Sequence, residues 1–199
     1  MATPIKSYID SCLELTSDKA VKYIIFQGGY YNPMDSKEYL SLKVPYYFRL
    51  GQETIPNKKQ FEEEISKYIE KELPKCLNFT GFEKEGYKIS SKSPKIQADL
   101  EEVVEIHLDY LVSIKKEDNV VEFKDFEYVE YFNFNRLYDI LNSFVQEHQK
   151  NPDFAPIGFL SLLAHENDFK FDMVYLSDDE IIYSFIFEDI YKEPLVFNF

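Results

Sequence analysis

The chain has no tryptophan, six glycines, three histidines and two cysteines in 199 residues, and 22 basic residues stand against 36 acidic ones. Each shortage excludes something. Neither GxGxxG nor GxxxxGK[ST] occurs, so no glycine-rich loop cradles a phosphate. His107, His148 and His165 lie far apart without HxxxH or HxH spacing, which leaves no zinc site and assigns them structural or surface roles. His107 alternates onto a polar strand face, and His148 and His165 close helices where a cation complements the dipole. A formal charge of −14 and a pI near 4.7 give no positive field for phosphates, so nucleic acid is excluded as a partner and anionic lipid is repelled. No apolar run reaches the ~18 residues of a membrane span. Met1-Ala2-Thr3-Pro4 opens without the basic and apolar regions of a signal peptide.

The nucleophile motif GxSxG is missing too. The acidic runs Glu62-Glu63-Glu64 and Asp178-Asp179-Glu180 lack the calcium-loop pattern and read as a solvated helix start and a hairpin turn. No catalytic residue, metal ligand or cofactor is therefore expected. Carboxylates brought together only by the fold are the one catalytic arrangement left open.

What is present is an aromatic core: 18 Phe and 16 Tyr, with 45% apolar and 29% charged residues, the composition of a folded globule. Thr3-Pro4 predicts a helix start, with Ile5, Tyr8, Ile9, Cys12 and Leu13 at helical spacing. Thr16-Ser17-Asp18 predicts the cap of a second helical stretch, ended by Gly28-Gly29. Residues 39–50 read as extended, with Pro45 placing the strand at an edge or splitting it in two. Asn57 and Gln60 form a capping box before the stripe Phe61, Ile65, Tyr68 and Ile69, and Pro74 stops that helix.

From Lys88 the period becomes two, with Val104, Ile106, Leu108, Tyr110 and Val112 on one face and a slip at Asp125 that predicts a bulge or a break. Asn135 predicts the cap of a further helix to Lys150, a short helix follows around 156–165, and a hairpin over 169–188 precedes a last strand ending at Phe199. The class is α+β: N-terminal helices packed on a mainly antiparallel sheet, with a further helix between strands. The expectation is one domain over 1–199, helix-rich over 1–77 and strand-rich over 88–199. The apolar strand at its end reads as the cut edge of an excised soluble ectodomain.

Two features hold the interest. Cys12 and Cys76 sit in near-repeated settings, Tyr8-Ile9-Asp10-Ser11-Cys12-Leu13 and Tyr68-Ile69-Glu70 shortly before Cys76-Leu77. Bridged, they staple two helices and place the protein outside the reducing cytosol; as two buried free thiols, they fit an intracellular domain. The second feature is Gln27-Gly28-Gly29-Tyr30-Tyr31-Asn32-Pro33, which reads as a helix C-cap entering a packed loop, or as a binding surface using Tyr30, Tyr31, Tyr46 and Tyr47. Asn78-Phe79-Thr80 is a glycosylation sequon of the kind that arises by chance.

In the order Tyr8-Ile9-Asp10-Ser11-Cys12-Leu13-Glu14, Gln27-Gly28-Gly29-Tyr30, Val44-Pro45-Tyr46-Tyr47 and Leu73-Pro74-Lys75-Cys76-Leu77, the chain resembles uncharacterised surface proteins of small-genome archaea. In that group a pilin-like apolar N-terminal segment precedes the soluble part. The resemblance implies an extracytoplasmic, membrane-anchored domain, touching the membrane only through an anchor outside this chain, and it brings no catalytic residues. The expected role is non-catalytic, in cell-surface structure, adhesion or protein binding, with self-association or another protein as partner. The alternative is a cytosolic acidic protein-binding module with free thiols.

Overall fold

The computed structural model describes residues 3–199. Thr3–Phe26 is one helix, α1, where the sequence predicts two. The predicted cap at Thr16-Ser17-Asp18 does not form, because Thr16 and Ser17 are buried and continue the stripe of Ile5, Ile9, Cys12, Leu13, Ala20 and Val21. Burial along one unbroken helical face outweighs the local preference of Ser, Thr and Asp for a helix start. The helix ends where expected: Gly28 and Gly29 take φ of 62° and 83°, and their N–H groups donate to the carbonyls of Ile25 and Ile24 at 3.1 and 2.7 Å.

The extended stretch is split into two small hairpins, β1 (Ser36–Tyr39) with β2 (Leu42–Pro45) and β3 (Phe48–Arg49) with β4 (Gln52–Glu53). Pro45 closes β2, the second of the two outcomes a proline allows there. Helix α2 (Lys58–Cys76) opens with the capping box in place, Asn57 Oδ1 accepting from the Gln60 N–H and Gln60 Oε1 from the Asn57 N–H. Pro74 does not stop it. The ring sits inside the last turn, where one missing N–H near the terminus is tolerated, and Cys76 belongs to that turn instead of following it. A short helix, α3 (Thr80–Lys84), follows.

Strands β5 (Lys88–Ser91), β6 (Lys95–Leu100), β7 (Val103–Lys116) and β8 (Asn119–Tyr131) form an antiparallel sheet. β8 runs along one edge of β7, and β5 and β6 lie end to end along the other. The alternation read from the sequence faces the core, and Ile114 extends it. The slip at Asp125 is a bulge: Asp109 pairs with Asp125, but the next pair is Val112 with Phe123, so the extra residue belongs to β7.

Helix α4 (Phe134–Lys150) is capped by Asn133, not Asn135: Asn133 Oδ1 accepts from the Arg136 N–H at 3.1 Å. Phe134 is fully buried and so enters the helix, which leaves Asn135 to donate to Glu101 at 3.0 Å. After α5 (Ile157–Glu166), β9 (Lys170–Ser177), β10 (Glu180–Phe187) and β11 (Leu195–Asn198) make a second antiparallel sheet in the order β11-β10-β9. The class is α+β, with two principal sheets in place of the single one expected. α1 joins them, packing on α2, on β8 of one sheet and on β11 of the other. The buried side chains form one cluster from Ile5 to Phe199. No helix among the described residues is long and apolar enough to cross a membrane.

Candidate functional site

Cys12 and Cys76 are bonded, Sγ to Sγ at 2.06 Å, which excludes the two free thiols of the alternative reading from this structure. The bridge joins the middle of α1 to the last turn of α2. Tyr8 lies one turn before Cys12, so its side chain reaches the same place. Its hydroxyl donates to the Cys76 carbonyl at 2.5 Å and accepts from the Asn78 N–H at 2.9 Å, with the ring against Phe79 and Phe82. Asn78 is exposed, just past α2, its Oδ1 accepting from the Thr80 N–H.

The four tyrosines differ in burial and in partners. Tyr47 is buried against Phe197 and Phe199 and donates to the Gly28 carbonyl at 3.0 Å, and its burial holds its hydroxyl well above the usual tyrosine range. Tyr30 is half-buried and donates to the Thr54 carbonyl, and Tyr31 packs with Tyr23 and Tyr68 between α1 and α2. Tyr46 donates to Glu180 at 2.8 Å, with the Arg49 guanidinium 4.6 Å above its ring. Tyr30, Tyr46 and Tyr47 meet around Thr54, whose N–H donates to the Tyr47 carbonyl and whose hydroxyl donates to the Tyr46 carbonyl, and Tyr46 and Tyr47 are neighbours in the wall of a cleft that sequence reasoning missed.

That cleft, of about 640 Å³, lies between the β1–β4 arm, the C-terminal end of α4 with the segment after it, and the β9–β10 hairpin. Its inner wall is aromatic. Phe144 and Tyr183 meet at 4.8 Å between centroids, Tyr183 stacks on Phe199 at 5.6 Å, and His148 lies 5.5 Å from Phe48, 6.0 Å from Phe144 and 6.2 Å from Tyr183. Half-burial among these rings lowers the affinity of His148 for a proton, so it is a neutral imidazole at neutral pH, not the helix-end cation expected from its position. Tyr183 is 4% exposed, and burial, with Tyr175 nearby, pushes its hydroxyl up to about 12.

Among the described residues, Tyr183 Oη and Ser17 Oγ are the buried side-chain polar atoms without a hydrogen-bond partner. An unpaired buried hydroxyl costs roughly 1–3 kcal/mol, which singles out Tyr183 in the cleft wall. A sequence signal for it exists: Tyr183 is the one hydroxyl in the inward set Ile181, Tyr183, Phe185 and Phe187, and a buried tyrosine tip ordinarily finds a partner.

The rim carries both signs. Lys37 pairs with Glu180 at 2.7 Å and Arg49 with Asp35 at 2.5 Å. Asp153, Asp178 and Asp179 also line the cleft and have no ion pair among the described residues. Asp178 and Asp179 form the β9–β10 turn, as their sequence predicts. Leu50 and Phe154, 95% and 74% exposed, form apolar lips.

The other histidines stay at the surface. His107 stands on the outer face of β7 within 3.5 Å of Glu127 and 3.8 Å of Glu105, and His165 is exposed in the last turn of α5. No group of three or more His, Cys, Asp or Glu is placed to hold a metal among the described residues. No protein-family model, no curated protein and no solved structure matches the chain.

Proposed function

We propose that the chain is a non-catalytic extracytoplasmic domain of an anchored archaeal surface protein, acting in cell-surface structure, adhesion or protein binding. The Cys12–Cys76 bridge carries this reading. Disulfides form and persist where the surroundings are oxidising, and a chain with a core this large does not need one to fold. The cleft supports binding: its wall is built of aromatic rings, which supply rigid contact area.

Intracellular proteins of hyperthermophilic archaea also carry disulfides, so the test reads location together with redox state. Thiols of freshly isolated native protein are titrated in denaturant without reductant, and intact cells are treated with an impermeant amine label. No titratable thiol and a labelled protein are expected. Two free thiols, or protein protected until the cells are lysed, would return the chain to the cytosol. An apolar segment of about 20 residues encoded immediately upstream supports the anchor, and its absence from the gene overturns that part alone.

A further inference from the structure

The cleft beside Tyr183 is not used by anything described so far, and its chemistry selects an occupant. Its paired charges cancel, Lys37 against Glu180 and Arg49 against Asp35, and Asp153, Asp178 and Asp179 remain as an unopposed negative rim. The chain as a whole, at −14, adds to that field. An anionic ligand is repelled here, and a neutral one leaves three carboxylates unanswered.

The walls point the same way. Phe48, half-buried in the wall, offers a face that attracts a cation and covers the methylenes of its stem. Nothing donates to the Tyr183 hydroxyl, and no hydrogen bond engages the His148 ring among the described residues. Both have a lone pair to offer, and a lysine ammonium or an arginine guanidinium carries only donors.

We propose that this cleft takes the lysine or arginine side chain of a basic protein segment, its stem along Phe48, its nitrogen between the Asp178-Asp179 turn and the inner Tyr183 hydroxyl. The exposed lips Leu50 and Phe154 then rest on apolar residues flanking that side chain. This assignment rests on the protein-binding part of the proposed function and names the chemistry of the partner.

The test uses the full chain with its disulfide intact and four capped tripeptides, acetyl-Gly-X-Gly-amide with X as Arg, Lys, Leu or Glu. Binding is read from the NMR signals of the His148 imidazole and the Tyr183 ring. The Arg and Lys peptides should shift both signals, saturably and more weakly in high salt. The paired substitution Asp178→Asn with Asp179→Asn, in an exposed turn, should weaken binding roughly tenfold, the effect of losing two ion pairs. Asp118→Asn, in the remote β7–β8 turn, should leave binding unchanged. Tyr183→Phe should weaken the cationic peptides while leaving the fold intact.

Equal shifts from the Leu peptide, binding of the Glu peptide, or silence at His148 and Tyr183 would each overturn the assignment. If Tyr183→Phe fails to fold, the turn variant decides alone. A silent cleft in a protein with no free thiols removes this inference and leaves the extracytoplasmic reading standing. Free thiols with a responsive cleft do the reverse.

Discussion

Gly29 shows how much one residue position can decide. A Cβ placed there would lie 2.5 Å from the Phe61 ring, and the backbone has a φ of +83°. Gly51 has nearly the same conformation, φ +76°, with nothing within 4 Å of its would-be Cβ. Gly29→Ala should therefore cost about 2–4 kcal/mol, strain plus overpacking, and Gly51→Ala about 1–2 kcal/mol from strain alone. Urea denaturation of both variants separates the two causes; equal losses would mean that the Phe61 ring yields freely. Tyr183 gives the opposite expectation, because removing an unpaired buried hydroxyl removes a penalty. Tyr183→Phe should be neutral or stabilising by about 1 kcal/mol, read as an unchanged or raised denaturation midpoint. A loss above that would reveal a partner for the hydroxyl.

Among the elements, α2 does two jobs at once. Its buried stripe Phe61, Ile65, Ile69 and Leu73 packs into the core, and a neighbouring row, Glu62, Ser66 and Glu70, accepts the free edge N–H groups of β6 from Leu100, Ala98 and Ile96 at 3.2, 3.1 and 3.3 Å. The fit is geometric: four helical residues advance about 6 Å and two strand residues about 6.8 Å. The helix thereby closes an edge that would otherwise be open to pairing with another chain. Ser66→Ala should cost about 1–2 kcal/mol by leaving the buried Ala98 N–H unpaired. Ser161→Ala, whose hydroxyl donates only to the Ile157 carbonyl on exposed α5, should cost almost nothing in the same denaturation assay.

At the opposite face of α1, Asp18 ties the helix to the segment before β11. Burial alone would raise its pKa, but Lys22 and Lys192 at 2.7 and 2.9 Å, with the Tyr191 hydroxyl at 2.7 Å, outweigh that and hold it at about 2, below its ordinary 3.8. A depressed carboxylate stabilises the fold above its unfolded pKa and loses that contribution as pH falls towards the folded value. Between pH 4 and pH 2 the protein should lose about 1–2 kcal/mol through this group, screened in part by solvent. Asp18→Asn should be less stable at pH 6 and should lack that part of the acid slope, measured by urea denaturation at several pH values. Parallel pH profiles would show that another carboxylate is responsible.

At the scale of the whole molecule, the bridge acts mainly on the unfolded chain. It closes a loop with a sequence separation of 64, which the chain-entropy estimate values at roughly 4 kcal/mol. Cys12→Ala with Cys76→Ala should lower stability by about 2–4 kcal/mol while the fold survives, because the core joined by α1 remains. Circular dichroism and denaturation together check this, and an unfolded double variant would show that the staple is required.

Local patterns were legible in the chain itself. Period two marked β7, the stripe at 61, 65 and 69 with the Asn57–Gln60 box marked α2, and Gly28-Gly29 marked the end of α1. These depend on neighbours a few residues away, which sequence displays directly. Tertiary burial decided the rest. It carried α1 through Thr16-Ser17-Asp18, moved the α4 cap to Asn133, divided the strands between two sheets and brought together the two cysteines whose pairing the chain led one to expect. The cleft belongs to that second category, apart from the one hydroxyl that β10 turns inward. Its walls come from residues 37–51, 144–155 and 176–183 with Phe199, parts of the chain that no periodicity relates, and only their packing places an unpaired tyrosine beneath an acidic rim.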